Sequence, residues 1–299
     1  MSNPLGKGRR RRYFEGWYFK QQNDRETVAL IPALHVDDGG EASASLQVIT
    51  DTRAYHIPFQ AHSLRIDPKK LYVRLENSLF SEHGCKLDVK SEEFDLSGTL
   101  HFGSLKSLSY DIMGPFSAMP LMECRHSVWS MFHRVDGMLT INGREYLFEN
   151  SSGYLEGDRG RSFPSRYVWT QCSWDGNSIM LSVADIPFGA FHFTGCIGFI
   201  LLDGKEYHIA TYCGVKLVSI SDDTVLLRQG KLTLKIELLA SNSQLLRAPQ
   251  KGNMSRLIHE SASCQVRYSC AVNGKTLFDF VSERASFENN WGNHNESIE

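Results

Sequence analysis

The chain has no long hydrophobic run. Its longest apolar stretch, Ile197–Leu202, is short and holds Gly198. A membrane-crossing helix needs about 20 such residues, so no integral span is expected. An excess of charge of one sign is missing too: 32 Lys and Arg stand against 34 Asp and Glu, a formal net charge of −2. That balance argues against a general nucleic-acid binder. The seven cysteines include no C-x-x-C pair, and their number is odd. Reduced thiols in a cytoplasmic protein are the expectation. There is no phosphate loop, no G-x-S-x-G elbow and no dinucleotide fingerprint. Phosphoryl transfer, serine hydrolysis and nicotinamide chemistry therefore lack support.

The residues present point to a globular protein. Hydrophobic residues make up 41% of the 299 and charged residues 22%, enough for a real core. The one strong basic run is Arg9–Arg12, after Lys7. It resembles a twin-arginine leader only superficially, because Glu15 and Lys20 interrupt the segment after it. A solvated tail is the expectation for it, with peripheral contact to an anionic membrane surface as the alternative.

Almost every segment has strand character. Phe94–Phe102 alternates over Phe94, Leu96, Gly98, Leu100 and Phe102. Asn142-Gly143, Asp203-Gly204 and Asn273-Gly274 are hairpin signals between apolar runs. Leu245–Ser261 is the one polar segment with room for a short helix. The reading is an all-β protein of about twenty short strands. Each half has enough strands to close a small barrel, and the lumen of such a barrel holds one lipophilic molecule well. The expected layout is a basic disordered tail over 1–12, barrels over 13–152 and 153–288 that meet near Gly153, and a disordered tail over 289–299.

Two stretches carry chemistry. Gly153–Cys172, GYLEGDRGRSFPSRYVWTQC, sets Glu156, Asp158, Arg159, Arg161 and Arg166 among Tyr154, Phe163, Tyr167 and Trp169. Its glycines and Pro164 are expected to break regular structure through Glu156–Ser165, before a strand from Tyr167. Tyr13–Lys20, YFEGWYFK, sets Glu15 among five aromatics. A carboxyl held against aromatics has its pKa raised, whereas a solvated loop would hold only ordinary ion pairs. Between them, Cys124–Val135 reads as a strand with Cys124, His126 and Val128 on one face and His133 on the other.

Together these stretches resemble the tocopherol cyclase family. The likeness lies in Phe14–Lys20, then Gly160, Ser162–Pro164 and Trp169–Cys172. It extends roughly from Tyr13 to Glu288, and is weakest between Glu41 and Gly98 and after Leu239. Where plant members carry a lysine or asparagine and a tryptophan before the glycine, this chain has Asp158-Arg159-Gly160, which resembles a bacterial branch. The resemblance implies two lipocalin-like β-barrels packed together, a scaffold also similar to that of carotenoid hydratases. It implies ring closure of a prenylated hydroquinone, or hydration of a similar double bond. Such chemistry protonates an alkene and lets an oxygen capture the tertiary cation, with no redox cofactor and no metal.

The acid is expected to be a carboxyl in an apolar setting: Glu15 or Glu156 first, then Asp158, with Asp185 a further candidate. His126 is the candidate to take the oxygen's proton. Trp17, Tyr18, Trp129, Tyr154 and Trp169 could hold the cation over their rings or be plain core. Arg161, Gln171 and Asp185 join them as substrate-binding candidates. A metal held by Cys124, His126 and His133 is the other reading of that cluster, but zinc ligands usually show tighter paired spacings, and no metal ligand is assigned. The rival to an enzyme is a lipocalin-like carrier of an apolar molecule. A buried carboxylic acid facing the ligand would favour the enzyme, and a purely apolar lining the carrier. The expected partner is a lipophilic small molecule.

Overall fold

The computed structural model describes residues 11–67, 69–119, 122–188 and 191–292. Most of the two expected tails lies outside them. Of the second tail, Asn290 is buried and its N–H donates to the Tyr167 carbonyl at 2.8 Å, while the Arg166 guanidinium lies 4.8 Å from the Trp291 ring centroid. The chain is therefore folded past Asn289, not loose from it. Among the described residues, no helix is long and apolar enough to cross a membrane.

The first sheet holds β1 (Tyr13–Gln22), β2 (Thr27–Val36), β3 (Ala42–Thr50), β4 (Ala54–Gln60), β5 (Leu64–Ile66), β6 (Tyr72–Leu75), β7 (Ser78–Ser81), β8 (Gly84–Lys90), β9 (Asp95–Phe102), β10 (Cys124–Ile141) and β11 (Arg144–Gly160). In space they run β4-β3-β2-β1-β11-β10-β9-β8-β7-β6-β5, all neighbours antiparallel. The two edges, β4 and β5, follow each other in the chain with only the short turn Ala61–Ser63 between them. A twisted sheet tied edge to edge so closely must curl, and the result is a nearly closed barrel.

The second sheet repeats the plan with β12 (Tyr167–Trp174), β13 (Asn177–Phe188), β14 (Phe191–Leu202), β15 (Lys205–Ala210), β16 (Val215–Ile220), β17 (Thr224–Gln229), β18 (Leu232–Ala240), β19 (Gln244–Gln250), β20 (Asn253–Val272) and β21 (Lys275–Asn289). Their order is β15-β14-β13-β12-β21-β20-β18-β17-β16, with β19 added on β20. Here too the edge strands, β15 and β16, are joined by a single short turn, Thr211–Cys213. The all-β, two-barrel fold expected from the sequence is the fold observed.

The three dipeptide turns form as expected. Asn142, Asp203 and Asn273 all adopt φ near +50°, each followed by a glycine with positive φ. Two expectations fail. Leu245–Ser261 holds no helix: Lys251 and Gly252 take φ of 50° and 83°, which folds the segment into the β19–β20 hairpin. And the break expected through Glu156–Ser165 is found only in its second part. β11 runs on to Gly160, so the change of sheet falls between Gly160 and Tyr167. Gly153 is there for close approach, since a Cβ on it would lie 2.2 Å from the His133 ring.

The barrel interiors are packed rather than hollow. Phe19, Leu46, Phe80, Leu100 and Phe148 fill the first, and Cys172, Ile200, Leu227, Val266 and Tyr268 fill the second. A third apolar cluster forms where the barrels meet, with Tyr18, Ile49 and Tyr154 from the first against Trp169, Met180 and Phe199 from the second. The apolar cleft lies between the barrels and not in either lumen.

Candidate active site

Strand alternation decides which motif residues meet. On β1, Phe14, Gly16 and Tyr18 turn toward the second barrel, while Trp17 and Phe19 join the first barrel's core. On β11, Glu156 and Asp158 share the face toward the second barrel. The register sets Tyr18 opposite Glu156, and Gly16 and His126 on either side of Asp158. From the other barrel, Trp169, Glu288 and Glu260 line up across β12, β21 and β20. Between these rows lies a cleft of about 160 Å³. That is roughly ten times the ~15 Å³ a single water needs, so the cleft suits an organic ligand. Its wall is mostly apolar, with Met113, Phe116, Ile197 and Ile258 among it.

The polar groups are knitted together. Glu156 is 5% exposed, and its Oε2 accepts from the Tyr154 hydroxyl at 2.5 Å and from Trp169 Nε1 at 3.3 Å. His126 Nδ1 lies 3.0 Å from Asp158 Oδ1. Its Nε2 lies 3.2 Å from Glu156 Oε2, an ion-pair contact and not an aligned hydrogen bond. Cys124 Sγ donates to Asp158 at 3.3 Å. Burial works against a charged His126, but Glu156 and Asp158 outweigh it and lift the imidazole well above its ordinary range. Burial and Asp158 push the Cys124 thiol up, which keeps it protonated and inert.

The opposite wall holds two buried carboxyls that the sequence reading missed. Glu260 is 5% exposed. Burial pushes its carboxyl up to about 7, with the Tyr18 hydrogen bond and Lys20 opposing and Glu156 adding to the rise. Its Oε1 has no hydrogen-bond partner. Glu288, beside it, bonds the Tyr167 hydroxyl and accepts from Asn290 Nδ2 at 3.1 Å. Burial and then Glu260 raise this carboxyl well above the usual range. Arg256 is anchored nearby by the carbonyls of Pro164 and Ser165, at 2.7 and 2.9 Å. A signal for Glu260 did exist: Ile258, Glu260 and Ala262 alternate as a buried strand face with a charge in it. The reading of that segment as polar and helical hid it.

Of the expected residues, Glu156, Asp158, His126, Tyr18, Trp169 and Trp17 all contribute to the cleft wall. Tyr154 lies behind it and holds Glu156. Five others do not reach it. Glu15 falls on the opposite parity of β1 and accepts from the Tyr13 hydroxyl at 2.8 Å. Trp129 packs against the first core. Arg161 is exposed, and its backbone N–H donates to the Glu123 carbonyl. Gln171 is fully buried and accepts from Lys20 Nζ at 3.0 Å. Asp185 is one residue out of step with Ser182, Ala184 and Ile186, which line the cleft, and pairs with His192 at 3.2 Å.

His126, Glu156 and Asp158 place their ligand-type atoms within 4.8 Å of one another, a spacing open to a divalent cation. His133, the third member of the cysteine–histidine metal reading, is turned away and packs at a tilt against Phe102 in the first barrel, with ring centroids 4.5 Å apart. Both ring nitrogens of His126 face Glu156 and Asp158, the same contacts that raise its imidazole.

No curated protein sequence matches this chain. Solved structures share its fold, among them these two. A Nitrosomonas europaea protein assigned provisionally as AttH aligns over 93% of this chain and 92% of its own, with TM-score 0.52 and 10% identity. Kievitone hydratase from Nectria haematococca aligns over 93% and 89%, with TM-score 0.53 and 10% identity. The model of the tocopherol cyclase-like family matches residues 85–186, the stretch that carries His126, Glu156, Asp158 and Trp169. The resemblance read from the motifs is thus borne out over residues 85–186, where this chain is similar to the tocopherol cyclase-like family; Phe14–Lys20 lies outside the matched stretch.

Proposed function

We propose that the protein is an enzyme that cyclises or hydrates a lipophilic substrate at a prenyl-type double bond by acid catalysis. The observation that carries this is Glu260, a buried carboxyl in an apolar cleft, raised to about 7 and with one oxygen unpartnered. An alkene needs a neutral, desolvated acid, and few environments keep a carboxyl in that state near neutral pH. The family match and the hydratase activity in the name of the Nectria haematococca neighbour fit the same reaction class.

In this reading Glu260 gives its proton to the less substituted alkene carbon. The tertiary cation forms against the rings of Tyr18 and Trp169, which pack edge to face with centroids 5.5 Å apart in the cleft wall. An oxygen then captures it. A phenol of the same molecule closes a ring, and a water gives an alcohol. The oxygen's proton passes to Glu156, whose neighbour His126 already carries its own proton, and Glu260 is reprotonated. The apolar wall limits which oxygen arrives.

Buried carboxyls are what separates this from the carrier reading. They cost desolvation free energy beside an apolar ligand and add nothing to its binding. The test is to incubate the protein with a prenylated hydroquinone and resolve the products by mass spectrometry. A product of equal mass, or one water heavier, made by the wild type and not by Glu260→Gln, is expected. A lipid that binds and emerges unchanged would return the carrier.

A further inference from the structure

A second cavity, of about 260 Å³, adjoins the cleft on the outer face of the first barrel. His35 and Met254 stand in the walls of both, so the two spaces meet there. The lining differs in kind. Asp37, Glu41, Ser43, Ser45, His56 and Asn253 make the second cavity more polar than the cleft, and among the described residues its wall has no lysine or arginine. Along β3, alternate side chains grade inward from exposed Ser43 to buried Ser45 and then to Gln47 in the cleft wall. Gln47 is fixed by two hydrogen bonds of 2.9 Å to the Arg247 backbone.

His35 and His56 are the unexplained groups. His35 is 4% exposed, and its Nε2 meets Ser45 Oγ at 2.9 Å. Its Nδ1 has no partner, and neither has that of His56. Burial first, and then the neighbouring His56 for His35 and the Arg247 guanidinium for His56, drives both imidazoles down, His35 to about 3 and His56 to about 4. Both are neutral in any ordinary solution. Buried polar atoms are seldom left unsatisfied without a reason.

We infer that this cavity is a subsite for an uncharged, hydroxyl-bearing head group, such as a sugar or polyol, on a substrate whose apolar body occupies the cleft. Hydroxyls both donate and accept, which matches a wall of neutral imidazoles, serine hydroxyls, an amide and carboxylates. An anionic head would meet Asp37 and Glu41 in the wall itself, while Arg247 acts on His56 from outside the lining. A cation would meet the acceptors and leave the donor hydrogens of Ser43 and Asn253 without an acceptor. The substrate is then an amphiphile that lies across the His35–Met254 boundary and reacts at an internal double bond. The location of its body rests on the function proposed above; the head-group chemistry does not.

The experiment is equilibrium binding, read by tryptophan fluorescence, of decyl glucoside and decanoate below their micelle concentrations, with farnesene as a headless probe. The wild type is expected to bind the glucoside about tenfold or more tighter than the carboxylate. His56→Leu, at the half-buried side of the cavity, and Ser43→Phe, which fills its mouth, are each expected to abolish that preference and leave farnesene binding unchanged. Equal binding of glucoside and decanoate by the wild type, or a preference that survives in both variants, would overturn the subsite. Glu260→Gln is expected to keep the preference while losing turnover, so the subsite and the proposed reaction fail separately.

Discussion

Trp169 Nε1 donates to Glu156 Oε2 at 3.3 Å, and the two residues come from different barrels. The bond ties the sheets together across the floor of the cleft. The site is thus a property of the docked pair, since neither barrel holds both rows of polar groups.

That bond can be weighed by itself. Trp169→Phe keeps most of the ring and removes the donor. Stability is expected to fall by about 1–2 kcal/mol, the usual cost of stripping one partner from a buried acceptor. Urea unfolding measures it. No change in midpoint would mean that the contact contributes nothing to docking.

Glu260→Gln is expected to lower turnover at least ~100-fold, the low end of what a positioned general acid contributes. Ligand affinity should hold. Glu15→Gln is expected to leave turnover near wild type, because Glu15 lies on the other face of β1. Full activity in the Glu260 variant would remove it from the acid role and return attention to Glu156.

The raised Glu260 carboxyl has two consequences with pH. Activity should decline as pH rises through about 7, where the donor loses its proton. Stability should decline over the window from the ordinary glutamate value up to about 7, because the folded chain keeps a proton that the unfolded chain has released. Above about 7 this contribution is flat. His126 acts in the same direction: its folded value is raised, so its stabilising charge is lost as pH climbs past the ordinary histidine range. Melting curves of wild type and Glu260→Gln across pH check this. The variant should lose the lower part of the slope, and identical slopes would refute it.

Chelation separates the two readings of the His126–Glu156–Asp158 cluster. Treatment with EDTA is expected to leave both melting temperature and activity unchanged, since a proton, not a metal, is what the cluster is proposed to hold. A large drop in melting temperature, restored by one divalent metal, would make the same three residues a metal site.

Much of this was legible in the chain. The Asn-Gly and Asp-Gly turns, the alternating runs and the placing of Cys124 and His126 on one strand face all depend on near neighbours. The aromatic-rich motifs around Tyr18, Glu156 and Trp169 mark true wall residues. The same local view misled elsewhere. Glycines around Glu156 resembled a loop because sequence cannot show that the missing Cβ at Gly153 makes room for His133. Glu15, Gln171 and Asp185 sat in the right segments on the wrong parity, or behind the wall.

The sequence by itself determined the secondary structure class, the hairpins and which strand faces are apolar, since these depend on spacing of a few residues and on backbone conformation at turns. Only the tertiary structure decided where the ligand space is and which acid faces it. The barrels fill their own interiors and leave the cleft between them, so Glu260 and Glu288 meet Glu156 and His126 through docking of two closed sheets. A carboxyl's charge state depends on that burial, and burial is set by residues far away in the chain.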